Sequence, residues 1–271
     1  MLGVEETAQP QVRQRFHVLS VLRLRIRTIR PPRFWEEVLF IGVSYFLYSL
    51  IRNGVPTHQH LAYHRASQLM SVEHWLHLDF ELTLNKATAG VGWLAQFADY
   101  YYATMHFAVT IAVLVWLYRI HPLQYRSVRT ALYATNIIAL VGFWLLPLAP
   151  PRLIGHGFID TVVVFHTWGS WGSAGVDAAS NQFAAMPSLH IGWSLWCACA
   201  IVMLAKRNWV KVLGALYPVA TCLVIMATAN HYILDAAGGV VALMLGFGVQ
   251  RFLHGRPAFA DPATTLTAAR T

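Results

Sequence analysis

Several apolar runs of about 20 residues, separated by short polar or basic breaks, restrict the possible fold of this chain more than any other feature. A helix needs about 20 apolar residues to cross a hydrocarbon core of about 30 Å. Only 12% of the 271 residues are charged, whereas a soluble domain carries roughly 25%. The sequence therefore predicts an all-α integral membrane protein with the lipid bilayer as a partner.

The lengths and periodicity of the apolar runs predict six transmembrane helices. Their expected ranges are about 35–51, 93–118, 129–149, 187–205, 210–229 and 232–252. Between the first two lies a His-rich stretch, 56–92, with apolar residues three and four apart, which predicts one or two amphipathic helices at the membrane interface. The expected organisation is a basic cytoplasmic leader (1–33), a six-helix membrane domain (34–254) and a flexible cytoplasmic tail (255–271).

The positions of the basic residues predict how the chain is oriented. With the N-terminus in the cytoplasm, sixteen of the twenty Lys and Arg residues fall in cytoplasmic segments, as the positive-inside rule requires. The remaining four are Arg52, Arg65, Lys86 and Arg152. Both termini are expected in the cytoplasm. The net charge of +8 then reflects orientation and contact with anionic lipid, and no nucleic-acid partner is expected, because no soluble segment carries a basic patch interleaved with aromatics.

Three polar segments reach one predicted membrane face, and ionisable residues at membrane depth point to a functional site. The segments are Ala149–Arg152, Met186–His190 and Asn230–Asp235. On a helix, His231 and Asp235 would share one face, so the carboxylate would orient the imidazole and leave its other nitrogen nucleophilic. His190 could protonate a leaving oxygen, while Arg152 and Ser188 bind phosphoryl oxygens.

Each of these residues also has a purely structural interpretation. Ser188 suits a helix cap, Arg152 suits a headgroup anchor, and the His231–Asp235 pair suits a satisfied interfacial contact. Their joint occurrence on one face favours a site. The Tyr-rich stretch Tyr100–His106 is expected to form buried hydrogen bonds rather than to bind substrate.

The start of the fourth predicted helix suits a phosphate group. Pro187 is expected at its first position, where free amides and the positive end of the helix dipole favour an anion. Phosphoryl transfer depends mainly on positioning and charge neutralisation, which Arg and helix amides can provide, so no metal and no cofactor are expected. His58, His60 and His64 match no firm metal-ligand spacing, and their role stays open.

The second and third segments resemble the signature motifs of the type 2 phosphatidic acid phosphatase superfamily, in which a Pro-Ser-Gly-His segment and a later His-x-x-x-Asp flank a histidine phosphatase site. The Pro-Pro-Arg, Met-Pro-Ser-Leu-His and Asn-His-Tyr-x-x-Asp patterns are more similar to the branch of inositol phosphorylceramide synthases and their bacterial relatives. This resemblance spans most of the chain. It implies that His231 is the nucleophile that forms a phosphohistidine, Asp235 orients it, His190 is the general acid, and Arg152 and Ser188 bind phosphate.

The sequence departs from the phosphatase pattern at three positions. Leu189 stands where the phosphatases have Gly, which is expected to narrow the approach of the backbone to the phosphate. Ile225 replaces an arginine, and the third predicted helix lacks the expected lysine. Arg52 is the first candidate to replace these cations and Arg65 the second.

The leading hypothesis is a lipid phosphotransferase that moves a phosphate-containing headgroup, with phosphoinositol as one option, at the extracytoplasmic face of the plasma (inner) membrane. Whether the acceptor is an alcohol or water stays open. The first alternative is a phosphatase of phosphatidate-like or prenyl (di)phosphate lipids, and the second is a non-catalytic lipid-binding or transport protein. A serine hydrolase using Ser188 and His190 lacks the expected glycine pattern. The oligomeric state and the identity of the lipid are not determined by the sequence.

Overall fold

The structure is a computed structural model that describes residues 32–54, 58–167 and 181–261. Within these ranges the chain is helical and forms no strand beyond one isolated bridge between Leu148 and Ala184. The helices are α1 (Phe34–Asn53), α2 (Gln59–Trp75), α3 (Glu81–Ala89), α4 (Gly92–Ile120), α5 (Pro122–Leu145), α6 (Pro151–Ile154), α7 (Thr161–Val164), α8 (Leu189–Leu204), α9 (Asn208–Ala227) and α10 (Ile233–His254). The predicted leader lies outside the described residues except for its last two, and so does most of the predicted tail.

Five of these helices, α1, α4, α5, α9 and α10, are long and apolar enough to cross a membrane. They identify the chain as an integral membrane protein. The remaining predicted span, the fourth along the chain (187–205), corresponds to α8, an apolar helix of 16 residues, which is about 24 Å long. The helices alternate in direction, so α1, α5 and α9 begin at one end of the bundle, called here the far end, and α4, α8 and α10 begin at the other, called the site end.

Helix α5 begins and ends earlier than predicted. It starts at Pro122 rather than near residue 129, because Pro suits the first helical position and the basic side chains of the first turns find partners. Arg129 binds the Glu37 carboxylate from α1, and its guanidinium lies 4.9 Å from the centre of the Phe40 ring. The helix ends at Leu145 because Pro147 disfavours a helical conformation for the residue before it.

Close packing of α10 against α5 and α8 forms the centre of the bundle. A Cβ atom on Gly246 would overlap Thr135 of α5, and one on Gly239 would overlap the Ser188 carbonyl oxygen, so only glycine permits these approaches. The largest apolar cluster, around Leu117, Trp196 and Leu243, lies toward the far end.

The stretch between α1 and α4 forms two helices, α2 and α3, within the one or two that were predicted. Ala62 and Ala66 of α2 are fully buried against Ala149 and Tyr232, whereas Val72 and Leu76 are exposed. The three histidines His58, His60 and His64 are exposed, and the described residues contain no group of His, Cys, Asp or Glu that could hold a metal ion.

Candidate active site

A cavity of about 390 Å³ opens at the site end of the bundle, between α1, α4, α8 and the loops that precede α6, α7 and α10. Three predicted segments meet around it. Of the six predicted site residues, Arg52, Arg152, His190 and His231 line the cavity. Asp235 and Ser188 are fully buried behind that wall.

His231 is held by a carboxylate that also caps α10. Asp235 is the third residue of α10, and its Oδ2 accepts a hydrogen bond from the Tyr232 backbone N–H at 3.1 Å and lies 3.3 Å from His231 Nδ1. The expectation that both residues sit on the helix is wrong for His231, which precedes the first helical residue by two positions. The spacing of four still joins them because the capping carboxylate reaches back. A proton on Nδ1 donated to Asp235 leaves Nε2 with a free lone pair.

The turn that carries His231 is also fixed by its backbone. Ala229 adopts a left-handed conformation with φ of 53°, which reverses the chain after α9. The His231 N–H then donates to the Ile225 carbonyl at 3.2 Å, and the Arg152 N–H donates to the Ala229 carbonyl at 2.9 Å. The first and third polar segments are therefore joined directly.

His190, the second residue of α8, lies next to His231 in the wall of the cavity. The two ring centres are 5.6 Å apart. The His190 ring stacks on Tyr102 at 4.3 Å and contacts the edge of His106 at 4.3 Å. Its Nε2 atom is buried and has no hydrogen-bond partner, so this nitrogen can exchange a proton with a group that enters the cavity.

Arg152 is oriented by two neighbours on opposite sides. Its Nη1 donates to Asn230 Oδ1, and its Nε lies 3.7 Å from an oxygen of Asp160. The Asn230 amide is itself fixed, because its Nδ2 donates to Thr228 Oγ1 at 2.9 Å. The Arg152 guanidinium thus lies in the cavity wall near His231, where Asn230 and Asp160 fix its position.

Arg52 reaches the same cavity from the last turn of α1, where its Nη2 lies 3.4 Å from the Asn181 carbonyl oxygen. The second candidate cation, Arg65, instead donates to the Leu145 carbonyl at 2.9 Å and does not line this cavity. The cavity therefore contains two arginines, although the lysine and arginine of the phosphatase pattern are absent.

Ser188 occupies the helix-cap position that its structural interpretation expects, whereas Pro187 does not occupy the first helical position. Ser188 is the N-cap of α8, but its side chain forms no capping hydrogen bond, and its buried Oγ has no partner. Its backbone N–H donates to the Asp235 carbonyl at 3.0 Å. Pro187 precedes the cap instead of occupying the first helical position, because its ring packs against α5, where a Cβ on Gly142 would overlap it. Leu189 lines the cavity.

Several residues that contribute to this end of the bundle were not singled out from the sequence as site residues. Asp160 caps α7 through the Val163 N–H at 3.2 Å and also faces Arg152; its position before a Thr-Val-Val-Val run was a helix-start signal. His106 forms the expected buried hydrogen bond, with its Nδ1 3.0 Å from the Tyr102 carbonyl oxygen, and it lines the cavity as well.

Two further carboxylates lie behind the site and bind the start of α10. Glu81 Oε1 accepts from the Ile233 N–H at 2.9 Å, and Glu73 Oε1 accepts from the Leu234 N–H at 2.9 Å. Neither residue lines the cavity. Helix N-termini favour carboxylates because their first amides have no partner within the helix.

Comparison with known proteins adds one match. A family model described as the PAP2 superfamily matches residues 67–249, which is more than half of the chain and includes the three polar segments. Arg52 lies outside the matched range. A search of curated proteins and a search of solved structures found no significant match.

Proposed function

The chain belongs to the PAP2 superfamily and is a phosphatase or phosphotransferase enzyme acting on a lipid phosphate, and from this premise we propose that it transfers a phosphate-containing headgroup through a phosphohistidine at His231. The observation that carries the proposal is the pairing of His231 and His190 in one cavity, with ring centres 5.6 Å apart and two arginines in the same wall. Family membership favours an enzyme over the non-catalytic lipid-binding alternative.

In the first step, His231 Nε2 attacks the phosphorus atom of the lipid. The P–N bond forms as the bond from phosphorus to the leaving oxygen breaks, and His190 Nε2 donates its proton to that oxygen. Asp235 stabilises the positive charge that develops on the His231 ring. Arg152 and Arg52 neutralise the phosphoryl oxygens.

In the second step, an acceptor hydroxyl attacks the same phosphorus atom and the P–N bond breaks. His190, now neutral, removes the hydroxyl proton, which returns both histidines to their starting states. A serine hydrolase is disfavoured, because Ser188 Oγ is fully buried and does not line the cavity. In this scheme Ser188 supports the phosphate-binding wall rather than touching the reacting atoms.

An alcohol is favoured over water as the acceptor. The cavity is lined by aromatic and apolar side chains next to His190, including Tyr48, Phe107, Leu189 and Trp193, which suits a lipid alcohol better than free water. The motif pattern supports the same choice, since it is closer to the inositol phosphorylceramide synthase branch. Phosphatase action on phosphatidate-like or prenyl (di)phosphate lipids is the alternative.

The proposed placement in the membrane has six spans, which are the five long apolar helices and the shorter helix α8. Two contacts support it: the Ser188 N–H binds Asp235 at the site end, and Trp196 Nε1 donates to the Val128 carbonyl at 2.9 Å farther along the bundle. The basic residues then favour cytoplasmic termini and a site at the extracytoplasmic face of the plasma (inner) membrane.

The test is a product analysis with purified protein. Phospholipids labelled in the headgroup phosphate, including phosphoinositol lipids, and prenyl diphosphates are incubated with and without an alcohol-bearing lipid, and both free phosphate and new lipid products are followed. The proposal expects a labelled lipid product that depends on the added alcohol. Release of free phosphate alone would support the phosphatase alternative instead.

A further inference from the structure

Two carboxylates from separate helices hold consecutive amides next to His231. Glu73 of α2 is 1% exposed and Glu81 of α3 is 3% exposed. They bind the amides of Leu234 and Ile233, and Asp235 binds the preceding amide, that of Tyr232. The three backbone amides that follow His231 are thus each fixed by a different carboxylate.

Among the described residues, neither glutamate forms an ion pair with a basic side chain. Glu73 and Glu81 accept from adjacent backbone amides, those of Leu234 and Ile233, so their buried carboxyl groups lie close together. The titratable groups that interact with the pair include Asp79, Cys222, Tyr232 and Asp235, which are all acids. Two carboxylates this close in a buried position cannot both ionise without strong repulsion.

A shared proton removes this repulsion. Burial, followed by the negative charges of Glu81 and Asp235, raises the pKa of Glu73 to about 8, against the opposing effect of the Leu234 amide. Burial also raises the pKa of Glu81. With this raised pKa, Glu73 keeps its proton at neutral pH and can donate it to Glu81, while each carboxyl group still accepts from its helix amide.

We propose that Glu73 and Glu81 are positioning residues, which hold the start of α10, and with it His231, within reach of His190 by sharing a single proton. The inference rests on the proposed role of His231 as nucleophile. Neither glutamate lines the cavity, so they act through the backbone that carries His231 rather than through substrate. Loss of the shared proton would separate the two carboxylates and shift the His231 segment.

The test compares the pH dependence of kcat in wild type and Glu73→Gln between pH 6 and pH 10. A glutamine keeps the acceptor for the Leu234 amide and donates permanently to Glu81. Wild type is expected to lose kcat as the pH rises through about 8. The variant should keep kcat at pH 7 within about threefold, and its alkaline loss should move up by at least about one pH unit. KM should change by less than about twofold, because substrate contacts are untouched.

Asp79→Asn is the matched control, since it removes one negative charge from the same segment at a side chain that is 52% exposed. It should move the alkaline loss only slightly and toward lower pH, the direction opposite to that expected for Glu73→Gln. Glu73→Met removes both hydrogen bonds and should lower kcat by about tenfold or more in protein that still elutes as a single species. Glu73→Gln with the same alkaline loss as wild type overturns the proposal, whatever the methionine variant does.

His231→Asn separates this inference from the proposed function on which it rests. It should be inactive at every pH. If it stays active, the proposed nucleophile is wrong. If it is inactive and Glu73→Gln titrates like wild type, only the positioning role is wrong.

Discussion

Glu37 at the far end and Asp235 at the site end are both buried carboxylates, and their partners differ. Glu37 binds an opposite charge, Arg129, and accepts from the Tyr125 hydroxyl at 2.7 Å. Asp235 uses one oxygen for the His231 ring and a backbone amide, while its Oδ1 is buried without a partner. The ion pair of Glu37 with Arg129 holds α1 against α5, whereas Asp235 orients the His231 ring toward the cavity.

The same difference extends to the neighbours of each carboxylate. At the site end, Ser188 Oγ and His190 Nε2 are also buried without partners, although such groups cost about 1–3 kcal/mol each. At the far end, the unpaired Arg129 Nε belongs to a guanidinium that already binds Glu37. Of these residues only His190 lines the cavity, where an entering group can supply the missing contact. The far end therefore has the character of a structural polar cluster, whereas the site end has the features that we propose are reactive.

Substituting one histidine at each end of α10 should give the largest difference in kcat between two variants. His231→Asn is expected to lower kcat by about 10³-fold or more, because the nucleophile is lost. His254→Asn, at the buried far end of the same helix, should keep kcat within about threefold. Steady-state kinetics on both purified variants measure this. An equal loss of kcat in the two variants would contradict the view that only the site end takes part in the reaction.

His190→Gln should show a loss that depends on the leaving group. For a lipid alcohol the expected fall in kcat is about 10²- to 10⁴-fold, the usual contribution of a general acid. For an aryl phosphate whose leaving group needs no proton, the loss should be at least about tenfold smaller. Rates for the two substrate types measure the difference. A loss of the same size for both would assign His190 a role other than proton donation.

The two cavity arginines should affect substrate binding more than turnover of bound substrate. Arg152→Gln is expected to raise KM by about 10- to 100-fold, since a charge-assisted hydrogen bond contributes roughly 1.5–3 kcal/mol. Arg52→Gln should raise it by about tenfold. Arg65→Gln serves as the control, because Arg65 binds the Leu145 carbonyl outside the cavity, and its KM should stay unchanged. An effect of Arg65→Gln equal to that of Arg52→Gln would contradict the assignment of Arg52.

Glu37→Gln should have the smallest effect on turnover. Removing one partner of a buried ion pair costs about 3–5 kcal/mol of stability, so thermal unfolding in detergent should occur at a lower temperature. The kcat of the folded protein should stay within about twofold. A large fall in kcat with unchanged unfolding would mean that the far end also takes part in the reaction.

The sequence predicted the helices and the meeting of the three polar segments better than the carboxylates that bind the start of α10. Apolar run length located the five long helices to within a few residues, except for the start of α5, where Arg129 is accommodated by a Glu37 partner that periodicity cannot reveal. The spacing of His231 and Asp235 predicted their contact, although a helix cap rather than a shared helix face brings it about.

The carboxylates behind His231 could not be found in the same way. Glu73 and Glu81 are separated from their amide partners by 161 and 152 residues, and backbone amides carry no sequence signal. Arg52 was proposed as a phosphate-binding residue only because the lysine and arginine of the phosphatase pattern are missing. Its approach to the cavity depends on how α1 packs against the other helices. Contacts that depend on the tertiary arrangement of separate helices are thus the part that local patterns do not determine.

The most direct test of the account is to trap the covalent intermediate. Wild type, His231→Asn and His254→Asn are incubated with phosphate-labelled lipid, quenched, and analysed for protein-bound label that is acid-labile and base-stable. The account predicts label on wild type and on His254→Asn, located by peptide mapping at His231, and none on His231→Asn. Label that persists on His231→Asn would contradict it.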